Sequence, residues 1–200
     1  MKKEFWEAVK GRRSIYALGA EITVSEERIQ ELVKDALLHT PSPFNSQSTR
    51  LVVLFNGNHK RLWEITLNEL AKLVSPEQLE QSKNKINDCF ASGYGTILFF
   101  EEKNAVDALC AAFPSYADRF PVWSQHTNAM HQFVLWAALE AEGLGASLQH
   151  YNPLIDDAVR KEWDLPDTWQ LVAQMPFGKV LAPAGDKEFG PLDERMKIFK

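Results

Sequence analysis

The stretch MHQFVLWAALEAEGLG, residues 130–145, limits the fold more than any other segment. It completes a helical pattern from about 122 to 142, in which Met130, Phe133, Val134, Ala137, Ala138 and Ala141 put apolar or small side chains on nearly every face. A surface helix carries one apolar stripe, whereas this one needs cover all round. It therefore lies in the middle of something, either the core of one chain or the seam between two. It is too short, and too soon followed by acids and glycines, to span a bilayer, which takes roughly 20 apolar residues.

Around that helix the chain reads as alternating helices and a few strands. Residues 3–11 form a short helix with Phe5, Trp6 and Val9 on its apolar side. Thr23 and Glu26 fit a capping box, and Ile29, Leu32, Val33, Ala36 and Leu37 then recur at helical spacing until Pro41 and Pro43. LVVLF at 51–55 is a strand expected to be buried on both faces. Helices follow over 58–73 and from Pro76, then a strand at 95–100, a helix at 105–113, and an aromatic interruption, PSYADRFP, at 114–121. That interruption is either a lid or a connection. After the long helix come a strand at 146–150, a helix at 155–163 and a last strand at 170–180. The pattern has no repeats and no linker, so one α+β domain over 1–200 is the economical reading, with 181–200 a tail able to cross a subunit boundary.

Composition excludes some functions. A net charge of −5 gives no broad field for nucleic acid, although a local basic pocket needs only a few convergent cations. No signal-peptide segment or membrane span is legible, and Cys89 and Cys110 form no CxxC pair. They read as core thiols in a reducing cytoplasm. There is no GxGxxG after a strand, no P-loop, no HExxH and no GxSxG. His126 and His131, five apart, do not stack on one helical face as a metal pair would. Asp156 and Asp157 suit the first turn of a helix.

Three soft motifs remain. In GRRS, residues 11–14, two guanidinium groups and a hydroxyl can surround a phosphate, or simply decorate a helix C-terminus. In TPSPFNSQSTR, residues 40–50, Ser42, Asn45 and Gln47 offer donors and acceptors to the edge of a heterocycle, or satisfy a turn. In GLGASLQHYNP, from residue 143, glycines permit close backbone approach to a ligand, or cap a helix before a strand.

Together and in this order, the three motifs resemble the FMN-dependent nitroreductase family over essentially the whole chain. The wording of the last two is most similar to the bacterial and fungal group related to the fatty-acid repression mutant protein. The resemblance implies a three-layer α+β fold, with a central mixed, largely antiparallel sheet flanked by helices, in an intertwined homodimer with FMN at the subunit interface. It assigns FMN contacts to Arg12 and Ser14, with Arg13 assisting, and to Ser42, Asn45 and Gln47, whose loop can face the partner's FMN. Backbone amides of Gln149, His150 and Tyr151 would approach the reactive edge of the isoalloxazine, and Lys187 would contact the phosphate. Two positions depart from the family pattern: Tyr16 and Phe189 stand where basic residues are frequent. Tyr16 remains a candidate through its hydroxyl or by packing.

The implied activity is ping-pong electron transfer from NADH or NADPH to a nitroaromatic compound or quinone. Flavin N5 carries the chemistry, and no protein nucleophile is required. Phe44 and residues 115–120 are candidates for the acceptor pocket or for core. The competing readings are a flavin-binding redox sensor with weak turnover and a cofactor-free structural dimer. No nucleic-acid, membrane or metal partner is expected.

Overall fold

The computed structural model describes residues 3–200. Its sheet is built on β3 (Gly95–Glu102) and β5 (Trp169–Val180), which pair antiparallel. β2 (Thr49–Phe55) flanks β3, while β1 (Leu18–Gly19) and β4 (Leu144–Ala146) both pair with β5. All these ladders are antiparallel; an isolated parallel bridge joins Ser14 to Ala146.

Strand β3 shows why the molecule has three layers. Successive side chains in a strand point to opposite faces. Ile97 and Phe99 join one core with Ile29 and Val33 of α2 (Glu26–His39) and Leu135 and Leu139 of α6 (Phe120–Ala141). Leu98 and Phe100 join a second core on the other face. There they meet Leu62 and Trp63 of α3 (Asn56–Leu70), Ile86 of α4 (Pro76–Ile86) and Val159 of α7 (Asp156–Glu162). The remaining helices are α1 (Phe5–Gly11) and α5 (Lys103–Ala112). A continuous apolar run thus marks a strand covered on both sides.

Four sequence expectations are corrected. LVVLF packs on both faces, with Leu51, Val53 and Phe55 against the first core and Val52 and Leu54 against the second, but only Leu54 is fully buried, because β2 is the edge of the sheet. An apolar run cannot tell a central strand from an edge strand. The cap of α2 is Ser25, whose hydroxyl accepts from Arg28 N at 3.2 Å; Thr23 instead donates to Glu142 O at 2.7 Å. The expected strand at 146–150 starts earlier, as β4, and continues only as isolated bonds to β5, from Ser147 N to Pro176 O at 3.2 Å and between Gln149 and Gln174. At Gly145 the chain passes Ile15, whose Cβ would lie 3.0 Å from an added Cβ. Cys89 and Cys110 are free and only partly buried.

The end of α4 widens into a π-helical turn, Asn87–Ala91. Such turns insert a residue and re-aim the side chains after it. Here Phe90 is delivered, fully buried, between Trp63 at 5.0 Å and Tyr16 and Tyr151, each 6.3 Å away. His59 fastens the turn: Nε2–H donates to Ala91 O at 3.3 Å, and Nδ1 accepts from the Thr96 hydroxyl at 2.8 Å. The Ala91 carbonyl can only accept, which assigns this tautomer, and Trp63 Nε1–H donates in turn to Thr96 Oγ1 at 3.3 Å.

Burial, the dominant cause, holds the His59 imidazole down at about 4, against 6.5 for a free histidine. Between those values the unfolded chain binds more protons than the folded one, so stability is full above about pH 6.5 and lost as pH falls towards 4. Denaturant titrations at pH 7.5 and 5 should differ by about 2 kcal/mol on this account. His59→Gln, which cannot titrate, should lose correspondingly less over the same interval.

Candidate functional site

GRRS runs out of α1, and the Ser14–Ala146 bridge lays it beside β4. After β5 the chain returns past the same place. Between the two passes lies a cavity of about 630 Å³ lined by Arg12, Arg13, Ser14, Tyr16, the backbone around Ala182–Gly185, and Lys187. Pockets for small molecules commonly fall in this range of volume. The structure thus gathers the first basic motif and Lys187, which are 175 residues apart along the chain from Arg12.

The charge of this cavity is its most telling property. The chain carries 27 acidic and 22 basic side chains, yet among the described residues Arg12, Arg13 and Lys187 form no ion pair with any carboxylate. Each is held by something neutral instead. Arg12 lies over the Trp136 ring at 4.4 Å, Arg13 donates to Gly185 O at 2.8 Å, and the Lys187 ammonium sits 5.0 Å from the Phe189 ring. Cation–π contacts orient a cation without neutralising it. Phe189, which replaces a basic residue in the expected pattern, therefore positions the remaining one. With the Ser14 hydroxyl, the cluster suits a compact dianion such as a phosphate.

A match to the model of the Nitroreductase family spans residues 9–179. The chain belongs to the nitroreductase family. Nitroreductase FRM2 of Saccharomyces cerevisiae is 33% identical over 184 residues, covering 91% of each chain. The solved structure of nitroreductase CinD from Lactococcus lactis, in complex with chloramphenicol, is 42% identical, with a TM-score of 0.90 over 98% of this chain and 100% of that one. A structure from Exiguobacterium sibiricum in complex with FMN shares the fold, with a TM-score of 0.69 over 98% of each chain at 18% identity.

Against this nitroreductase frame, the other expected site residues divide. Ser42 and Gln47 line a second cavity, of about 260 Å³, with Thr40, Thr49, Arg50, His131 and Trp169. Within one chain they do not share the first cavity. Ser42 also has a local role, its Oγ accepting from Gln47 N at 3.0 Å. The loop is strained: Phe44, Asn45 and Gln47 have φ of 53°, 52° and 47°. Non-glycine residues in this left-handed region cost about 1–2 kcal/mol each and concentrate at functional loops. The strain turns Phe44 outward onto Phe113 at 4.7 Å and Phe120 at 5.4 Å, with Tyr116 beside it at 6.5 Å. Phe44, Phe113 and Tyr116 stay about half exposed, a ready aromatic shelf.

The third motif is corrected in detail. Gly143, at φ 82°, ends α6, and Gly145 packs against Ile15, so both glycines serve the backbone. Of the three amides expected at a ligand, Gln149 N donates to Gln174 O at 2.7 Å and Tyr151 N to Gln174 Oε1 at 2.7 Å. Only the His150 amide lacks an acceptor among the described residues, and His150 is exposed. Tyr151 leans instead on Phe90 and Trp63, and burial pushes its phenol up, keeping it neutral.

Sequence reasoning missed Gln174, Trp136 and Phe90. Gln174 had a signal, an amide in the middle of the apolar strand QLVAQMPFG, since a fully buried amide must have found partners. Trp136 and Phe90 had none, because an aromatic that supports a site looks like any core aromatic.

Proposed function

We propose that the protein is an FMN-dependent NAD(P)H oxidoreductase that passes electrons to nitroaromatic compounds or quinones by a ping-pong mechanism. The observation that carries this reading is the cavity with three unpaired cations, Arg12, Arg13 and Lys187, around the Ser14 hydroxyl. Those residues would hold the FMN phosphate, and Tyr16, supported by Phe90, would pack along the cofactor. The free amide of His150 would meet the polar edge of the isoalloxazine. Bound FMN would supply the redox chemistry, taking a hydride from NADH or NADPH and returning electrons to the acceptor. The chain's own part is to bind, to orient and to keep water away.

The working unit in this proposal is a homodimer. Val122, Met130, Phe133 and Val134 of α6 remain 39–50% exposed, although this helix is apolar almost all round. Strand β2 presents an unpaired edge, which invites another chain. Beyond Val180 no helix or strand forms, and Phe189, Leu192, Met196, Ile198 and Phe199 are exposed. A second copy would cover these surfaces together, since lone chains seldom leave so much apolar area wet. In such a pair Ser42, Asn45 and Gln47 would reach the FMN held mainly by the other protomer, and the Phe44 shelf would cover the acceptor. Cytoplasmic work belongs to the same proposal and rests on the free thiols of Cys89 and Cys110. No helix among the described residues is long and apolar enough to cross a membrane.

Anaerobic stopped-flow absorbance tests the activity. NADH or NADPH should bleach the flavin band, and 4-nitrophenol or a benzoquinone should restore it, with parallel double-reciprocal plots in steady state. Bleaching followed by no acceleration of recovery with any such acceptor would instead identify a redox sensor.

A further inference from the structure

The carboxylate of Glu101, only 2% exposed, lies at the end of β3 with no cation bonded to it. Ser48 Oγ donates to Oε2 at 2.6 Å; Thr49 Oγ1 and Asn128 Nδ2 donate to Oε1 at 2.7 and 2.9 Å. Asn128 also donates to Phe100 O at 3.1 Å, and its own Oδ1 accepts from Gln132 Nε2 at 2.7 Å. A chain of buried polar groups thus runs from α6, through β3, to the residues that follow the strained loop. Burying a carboxylate is costly, and this one is compensated only by neutral donors whose geometry must therefore be kept. An apolar residue would fill a core position here at less cost. What the carboxylate adds is direction: it fixes two consecutive hydroxyls at the loop's exit, and Glu102 N donates to Ser48 O at 2.9 Å alongside.

We propose that Glu101 is a positioning residue, which clamps Ser48 and Thr49 so that the left-handed turn at Phe44, Asn45 and Gln47 is held in its strained, outward-presenting form. The clamp supplies the external constraint that such strain needs, because an unconstrained loop would relax to ordinary φ values. Its purpose, presentation of Asn45, Gln47 and Phe44 to flavin and acceptor, rests on the FMN reading; the clamp itself does not.

Limited chymotrypsin digestion of the full-length protein, read by mass spectrometry, tests the clamp without flavin. Glu101→Gln and Thr49→Val should each speed cleavage after Phe44 by about tenfold or more, as loss of one buried charge-assisted bond implies. Thr49→Ser, which keeps the hydroxyl, should restore the slow rate even if Glu101→Gln folds poorly. Cleavage after Phe189, in the exposed tail, should not change in any variant. Thr66→Val, which removes a buried hydroxyl bonded to Leu62 O in α3, is the control for general destabilisation and should leave Phe44 cleavage alone. A wild-type rate after Phe44 in Thr49→Val, or equal acceleration in Thr66→Val, overturns the proposal. FMN titration of the same proteins separates the two readings. Faster Phe44 cleavage with no FMN uptake by the wild type keeps the clamp and removes the flavin reading. FMN uptake with cleavage unchanged does the reverse.

Discussion

Phe90→Ala is expected to lower the unfolding free energy by about 3–5 kcal/mol, the usual cost of emptying a buried phenylalanine site. The large figure follows from where Phe90 sits. It is fully buried and contacts Trp63, Tyr151 and Tyr16, so three aromatic rings lose a shared neighbour at once. The π-helical turn that delivers it is fastened to His59 and cannot easily collapse into the void. Urea unfolding followed by tryptophan fluorescence reads the loss directly, and Phe90→Leu, which keeps most of the volume, should lose only about 1–2 kcal/mol. The functional consequence lies one layer out: Tyr16 lines the basic cavity and leans on Phe90, so FMN affinity should fall in Phe90→Ala more than in Phe90→Leu. A stability loss below about 1 kcal/mol would mean that the aromatic stack does not support this wall.

The second large effect concerns charge. Replacing both Arg12 and Lys187 by alanine should weaken FMN binding by about a hundredfold or more, since each charge-assisted bond contributes about 1.5–3 kcal/mol. Because neither cation is paired with a carboxylate, neither substitution strands a buried acid, and thermal stability should change little by comparison. Arg12→Lys separates charge from geometry. A lysine keeps the charge but cannot reproduce both the stacking on Trp136 and a forked donor pair, so affinity should recover only in part. Isothermal titration with FMN and with riboflavin provides the internal check, because the loss should appear with FMN and be nearly absent with riboflavin, which lacks the phosphate.

The sequence carried different parts of this account unequally. Apolar runs such as GTILFF and QLVAQMPFG became the two central strands because burial on both faces leaves a direct mark on composition. LVVLF carried the same mark yet lies at the edge, and nothing local distinguishes a strand awaiting a neighbour from one that has two. The start of α2 depended on whether Thr23 or Ser25 turned towards the helix, a choice made by the distant Glu142 carbonyl. At the site, Arg12, Arg13, Ser14, Tyr16 and Lys187 were legible as chemistry, and the fold brings them to one cavity. The groups that orient the site were not, because Trp136 under Arg12, Phe90 behind Tyr16 and Gln174 beside Gln149 and Tyr151 act through contacts made only by distant segments of the folded chain. In the third motif, glycines that seemed free to meet a ligand are occupied in passing Ile15 and ending α6, which leaves the His150 amide as the one to follow.

The central claim is that this chain holds FMN between paired protomers. Purification without added flavin, followed by native mass spectrometry and chromatography of the released cofactor, tests it in one preparation. The account predicts a mass of two chains with two FMN, and released flavin that is FMN rather than FAD. A protein free of flavin that also takes up none from added FMN would contradict it.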